Sequence, residues 1–133
     1  MDKKKFEAEF EVNASKKMLY PYFNTASGLA QWFADDVNID EDHIFHFLWD
    51  DDHSKAKMVS HRLNSYVKFE FIEDGVSGNG SEDPSFIEFK LDQNELTQSV
   101  FVRVVEYTDL EDEEEQLEIW DNLFHTLKET VGG

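Results

Sequence analysis

The chain has 133 residues, 40% hydrophobic and 14% aromatic, a length expected to form a single domain over residues 1–133 with a substantial core. Thirty acids against 12 lysines and arginines give a formal net charge of −18, a field that repels phosphate backbones, excludes nucleic acid as a partner and disfavours anionic membrane surfaces. Cysteine is absent, which excludes disulfides, thiolate catalysis and cysteine–zinc sites, and no run is apolar and long enough to insert in a bilayer.

The opening "MDKKKFEAEF" is charged but has no apolar segment behind it, so it is not a secretion signal and a cytoplasmic location is expected. Phe6, Ala8, Phe10 and Val12 alternate with Glu7, Glu9 and Glu11, the pattern of a half-buried strand. Ser15 suits a helix N-cap ahead of Met18, Leu19, Tyr22 and Phe23, with Pro21 forcing a short or kinked helix. A second short helix is expected from Ser27, carrying Leu29, Trp32 and Phe33. From Val37 the period changes to two. Val37 and Ile39 mark a short strand, and His43–Trp49 a second. A polar hairpin loop over Asp50–Ser54 leads to a strand over Ala56–Arg62. After a turn at Asn64–Ser65, "YVKFEFIE" puts Val67, Phe69 and Phe71 on one face. The longest loop is expected over Asp74–Pro84, where three of the six glycines fall. Strands over Phe86–Leu91 and Gln98–Tyr107 follow, joined by a turn at Asp92–Glu95.

The final helix carries the strongest signal. Thr108 and Glu111 fit a capping box, and the acids that follow suit a helix N-terminus. Leu117, Trp120, Phe124, Leu127 and Val131 then form a stripe, widened by Ile119 and Leu123, and Gly132 offers a stop. Strands joined by tight polar turns pair antiparallel. One face of their sheet needs a cover, and this helix is the only long amphipathic element available. The expected class is therefore α+β: a curved antiparallel sheet wrapped around a long C-terminal helix, with two short helices after the first strand.

The stretches "NASKKMLYPYFNTASGLAQWFADDV" (Asn13–Val37) and "LEIWDNLFHTLKETV" (Leu117–Val131) resemble the helix-grip fold of the START-like, or SRPBCC, superfamily, shared with birch pollen allergens. Trp32 with Phe33, and Trp120, Phe124, Leu127 and Lys128, resemble more narrowly the C-terminal domain of the activator of heat-shock protein 90 ATPase. The resemblance implies a cavity between sheet and helix that in many members holds a lipid or other hydrophobic molecule. Other members are enzymes, and some regulate a chaperone. The eukaryotic chaperone activators carry an additional chaperone-binding domain, for which this sequence has no room.

The candidate cavity wall is aromatic. Phe45, Phe47 and Trp49 share one strand face, Met58, Val67, Phe69 and Phe71 come from the next two strands, and Trp32, Trp120 and Phe124 come from helical segments. They either line a pocket or fill the space themselves. No metal or other cofactor is expected. His43 and His46 point to opposite faces of a strand, and His53 beside Asp50, Asp51 and Asp52 lacks the spacing of a calcium loop. His125 pairs on the helix surface with Asp121 or Glu129. Alternation turns Glu7, Glu9, Glu11 and Glu70 outward, "GVSGNG" lacks the basic residue of a phosphate loop, and no catalytic triad pattern is present. The sequence thus points to a non-enzymatic domain binding a small hydrophobic or lipid-like ligand. The alternatives are a filled-core interaction or chaperone-regulating module whose acidic exterior docks a basic protein, and a cavity enzyme, which requires an inward-facing polar residue with a strongly shifted pKa.

Overall fold

Strand β1 (Lys4–Val12) buries Phe6, Phe10 and Val12 and exposes the glutamates between them, as its alternation predicts. The computed structural model describes residues 3–50, 52–72, 84–109 and 112–132. After β1 the chain makes three single-turn helices where two were expected: α1 (Lys16–Leu19), α2 (Pro21–Asn24) and α3 (Ala26–Leu29). Ser15 caps α1 by accepting from the Met18 amide at 3.0 Å. Pro21, which has no amide to donate, ends that helix by starting the next. Thr25 then breaks the run with an extended backbone, and its hydroxyl caps α3 by accepting from the Gly28 amide at 3.0 Å.

The remaining strands are β2 (Asp36–Ile39), β3 (Ile44–Trp49), β4 (Asp52–Arg62), β5 (Tyr66–Ile72), β6 (Phe86–Gln93) and β7 (Val100–Thr108). They join β1 in one antiparallel sheet of order β1-β7-β6-β5-β4-β3-β2. The hairpin after β3 is tighter than its polar sequence suggests. Asp52 pairs with Trp49 and Ser54 with Phe47, so β4 begins inside the stretch expected to loop. A bulge at Val59 shifts register between Met58 and Ser60. The turn after β6 lies later than expected, at 94–99, where the Asn94 side-chain oxygen accepts from the Leu96 and Thr97 amides. Most of the expected long loop, Asp74 to Asp83, lies outside the described residues.

Helix α4 (Glu113–Val131) is capped by Asp112, whose carboxylate accepts from the amides of Glu114 and Glu115 at 2.9 and 3.3 Å. Thr108 was expected in this role, but it is still paired with Lys4 in the sheet. Glu111 lies outside the described residues. Gly132, at φ 82°, ends the helix in the left-handed conformation. Trp120, Phe124 and Leu127 are buried, whereas Leu117 and Ile119 are 44% and 45% exposed. This is the α+β, helix-on-curved-sheet arrangement anticipated from the order of elements.

The core is aromatic and continuous from the short helices to α4. Phe124 stacks on Phe10 with ring centroids 4.3 Å apart. Trp32 touches Phe23, Phe33, Phe89 and Phe124, and Phe47 meets Phe33, Phe45 and Phe69. The C-terminal half of α4 rests on this filled ground.

Candidate ligand-binding cavity

The N-terminal half of α4 stands over open space. Because the strands alternate in direction, the ends of β3, β5 and β7 lie beside the starts of β4 and β6. Trp49, Asp52, Ser54, Phe71, Ile87, Glu106 and Thr108 therefore gather at one end of the inner face. Gln116, Ile119, Trp120 and Leu123 roof them from α4, and Phe33 closes the side toward the core. With His53, Lys55 and Ser85 they line an open-sided cavity of about 780 Å³. Ile72 and Ile119, which also line it, are 40% and 45% exposed, so its mouth has an apolar rim.

A partly buried carboxylate sits within this wall. Glu106 follows Val100, Val102 and Val104 in the inward phase of β7, opposite Phe6 on β1 and Ile87 on β6. The Trp120 indole N–H donates to Glu106 Oε1 at 3.0 Å, and the Gln116 side-chain amide donates to the same oxygen. Burial pushes the Glu106 carboxyl above the usual carboxylate range, while the two N–H donors act to lower it. The alternation in "VFVRVVEYT" carries this placement. With 30 acids in the chain, a single in-phase glutamate does not stand out from the sequence.

All three tryptophans have their indole N–H bonded. Trp32 donates to the Tyr22 carbonyl at 2.9 Å and Trp49 to the Phe33 carbonyl at 3.0 Å. Of the aromatic residues proposed from the sequence, Trp49, Phe71 and Trp120 line the cavity. Trp32, Phe45, Phe47, Phe69 and Phe124 lie in the buried core next to it, and Met58 packs partly buried against that core. Sequence reasoning missed Phe33, Ile87, Gln116 and Glu106 as cavity residues.

Of the histidines, His53 borders the cavity, although its ring turns away from the inner face. His46 and His53 are on the outer face, His46 Nδ1 meeting His53 Nε2 at 3.0 Å and His46 Nε2 meeting Asp40 Oδ2 at 2.8 Å. The bond to His46 and the Ile44 amide hold the Asp40 carboxyl below its usual range. His43 takes a left-handed turn conformation, and His125 contacts Glu129 at 2.6 Å on the surface of α4. No group of three metal-ligating side chains occurs among the described residues.

The position of Glu106 gives a pH-dependent expectation. A carboxyl whose folded pKa is raised favours folding below its unfolded pKa and loses that contribution as pH rises through the folded value. At neutral pH its ionised form therefore opposes folding. Glu106→Gln keeps an oxygen for Trp120 and Gln116 and removes the charge. The variant is expected to melt higher than the parent at neutral pH, with the gain shrinking as pH falls into the ordinary carboxylate range. Thermal melts across pH check this, and a difference independent of pH would dissociate Glu106 from it.

Residues 1–133 match the family model described as the START-like superfamily domain. The chain belongs to the START-like superfamily. No curated protein matches it. The solution structure of the Aha1 dimer from Colwellia psychrerythraea is similar with a TM-score of 0.70 at 20% identity, over 94% of this chain and 93% of that one. A solution structure of a Bacteroides fragilis protein is 28% identical, with a TM-score of 0.61 over 98% and 93% of the two chains. A crystal structure of a Bacillus thuringiensis protein reaches 0.75 at 11% identity, over 98% and 100%. At such identities the first and third likenesses speak to fold alone. They agree with the sheet and helix seen in this START-like domain, in which no helix among the described residues is long and apolar enough to cross a membrane.

Proposed function

We propose that this START-like domain is a non-enzymatic binder of a small hydrophobic molecule, held between the sheet and the N-terminal half of α4. The observation that carries the reading is the cavity of about 780 Å³ walled by Phe33, Trp49, Phe71, Ile87, Trp120 and Leu123. Small-molecule sites commonly occupy about 300–1,000 Å³ and are mostly apolar with a few fixed polar groups. Each Å² of apolar ligand surface removed from water is worth roughly 25 cal/mol, so a modest alkyl chain has enough wall to bind. Trp32, Phe45, Phe47, Phe69 and Phe124 belong to the buried core, and Met58 packs partly buried against it. The open half of the helix–sheet interface weighs against the filled-core alternative.

Trp120 is placed to report occupancy, because it is a cavity residue with its N–H fixed on Glu106. In a variant carrying Trp32→Phe and Trp49→Phe, Trp120 emission is expected to shift on adding straight-chain alcohols, saturably and more strongly as the chain lengthens. Emission that never saturates, or that ignores chain length, would remove the basis for this reading.

A further inference from the structure

Four ionisable residues line the cavity, Asp52, His53, Lys55 and Glu106, and strand alternation sorts them by face. Ser54 is paired with Phe47 and Ala56 with Phe45, so Asp52, opposite Trp49, belongs to the inner face of β4. His53 and Lys55, which alternate with them, also border the cavity but belong to the outer-face phase of the strand, Lys55 opposite the rim residue Ile72. The His53 ring agrees, since it meets His46 on the side of β3 opposite Phe45 and Phe47. From β7 comes Glu106, and from α4 come the uncharged Gln116, Ile119, Trp120 and Leu123. Among the described lining residues, the inward ionisable groups are thus two carboxylates, Asp52 and Glu106.

Aromatic faces surround them. Phe33 meets Trp49 edge-on at 5.6 Å and stacks with Trp120 at 5.9 Å, and Phe71 lines the cavity from β5. Both donors to Glu106 converge on Oε1. Aromatic rings and a partly desolvated carboxylate are the chemistry that recognises an organic ammonium group. A carboxylate or phosphate head in the same place would meet like charges at low dielectric, inside a protein whose net charge is already −18.

Resting on the reading of this cavity as a ligand site, we infer that its ligand is a hydrophobic organic cation: an alkyl or ring body bearing an amine or quaternary ammonium group. The body lies against Ile87, Trp120 and Leu123, and the cationic group sits at Glu106 among the aromatic faces. Pairing with a cation also compensates the burial of that carboxylate.

Isothermal titration calorimetry at physiological salt separates the outcomes, using decyltrimethylammonium, decanol and decanoate as probes of one chain length. The cation is expected to bind about tenfold or more tightly than decanoate, with decanol between them. Glu106→Gln is expected to weaken the cation by about tenfold while leaving decanol nearly unchanged. Glu11→Gln, exposed on β1, should alter neither and so controls for attraction by the overall field. Decanoate binding as tightly as the cation, or a preference that survives Glu106→Gln, overturns the inference and leaves the hydrophobic site standing. Failure of all three probes overturns both. If Glu106→Gln does not fold, the order of affinities in the parent protein still decides, and Asp52→Asn, on an exposed residue, should reduce the cation's advantage.

Discussion

Trp120→Ala is expected to destabilise the fold by about 4 kcal/mol, within the range for removing a buried aromatic side chain. Trp120 is 2% exposed and touches Phe33, Phe89 and Phe124, with centroids 5.9, 5.9 and 6.2 Å away. Its loss would merge the space it fills with the cavity beside it, and the rigid rings around it limit collapse. It would also leave the partly buried Glu106 with Gln116 as its remaining donor. Trp120→Phe separates the two contributions. It keeps most of the apolar contact but removes the N–H, and should cost about 1–3 kcal/mol. Urea unfolding followed by circular dichroism measures both, since tryptophan emission changes with the substitution itself. An alanine variant that loses less than about 1 kcal/mol would mean that α4 is anchored without this residue.

The filled and open halves of the interface are held by different means. Beyond Trp120, Phe124 stacks on Phe10 and Leu127 is fully buried, so apolar packing fixes the helix. Before it, Leu117 and Ile119 are half-exposed, and the helix is tied to the sheet by Gln116 and Trp120 reaching Glu106. A hydrogen-bonded carboxylate can hold two elements together without closing the space beside it. Filling that position with a large apolar residue would extend the packed half and shrink the cavity. Glu106 therefore has a structural role in keeping the roof in place, in addition to the binding role inferred for it.

Much of this fold was legible because its signals are local. The alternation of Phe6, Phe10 and Val12, the face shared by Phe45, Phe47 and Trp49, and the spacing of Trp120, Phe124 and Leu127 depend on neighbours within a few residues. The misplaced features depend on partners far along the chain. Thr108 and Asp112 both offer an oxygen suited to a helix cap, and pairing of Thr108 with Lys4 decides between them. Asp52, His53 and Ser54 have loop-like composition, yet pairing with Trp49, Leu48 and Phe47 draws them into β4. At the site, alternation alone identified which aromatic residues face inward. It could not tell which of them meet a ring on the far side and which meet space, because that depends on where α4 crosses the sheet. Trp49 and Phe47 share a strand face, but Phe47 is sealed at 1% exposure while Trp49 lines the cavity.

The second large effect is expected at Gly28. A Cβ on this residue would lie 2.1 Å from the Pro21 carbonyl oxygen and 2.7 Å from the Tyr22 Cα. Both are backbone atoms, so no side-chain rotation relieves the contact, and α2 and α3 must move apart. That movement does not stay local. The Tyr22 carbonyl accepts the Trp32 indole N–H, and Trp32 is packed against Phe23, Phe33, Phe89 and Phe124. Alanine gains up to about 1 kcal/mol of helix propensity over glycine, but steric displacement in a packed region costs more. Gly28→Ala is expected to lose about 3 kcal/mol net, with a weakened near-ultraviolet circular dichroism signal as the environment of Trp32 loosens. Gly132→Ala is the informative contrast. Its Cβ meets nothing within 4 Å, and its φ of +82° leaves only a conformational cost of about 1 kcal/mol. If both variants lost the same amount in urea unfolding, the close approach at Gly28 would not be what fixes α2 against α3. A distinctly larger loss at Gly28 would tie the seating of Trp32, and with it the wall behind Phe33, to a contact that only glycine permits.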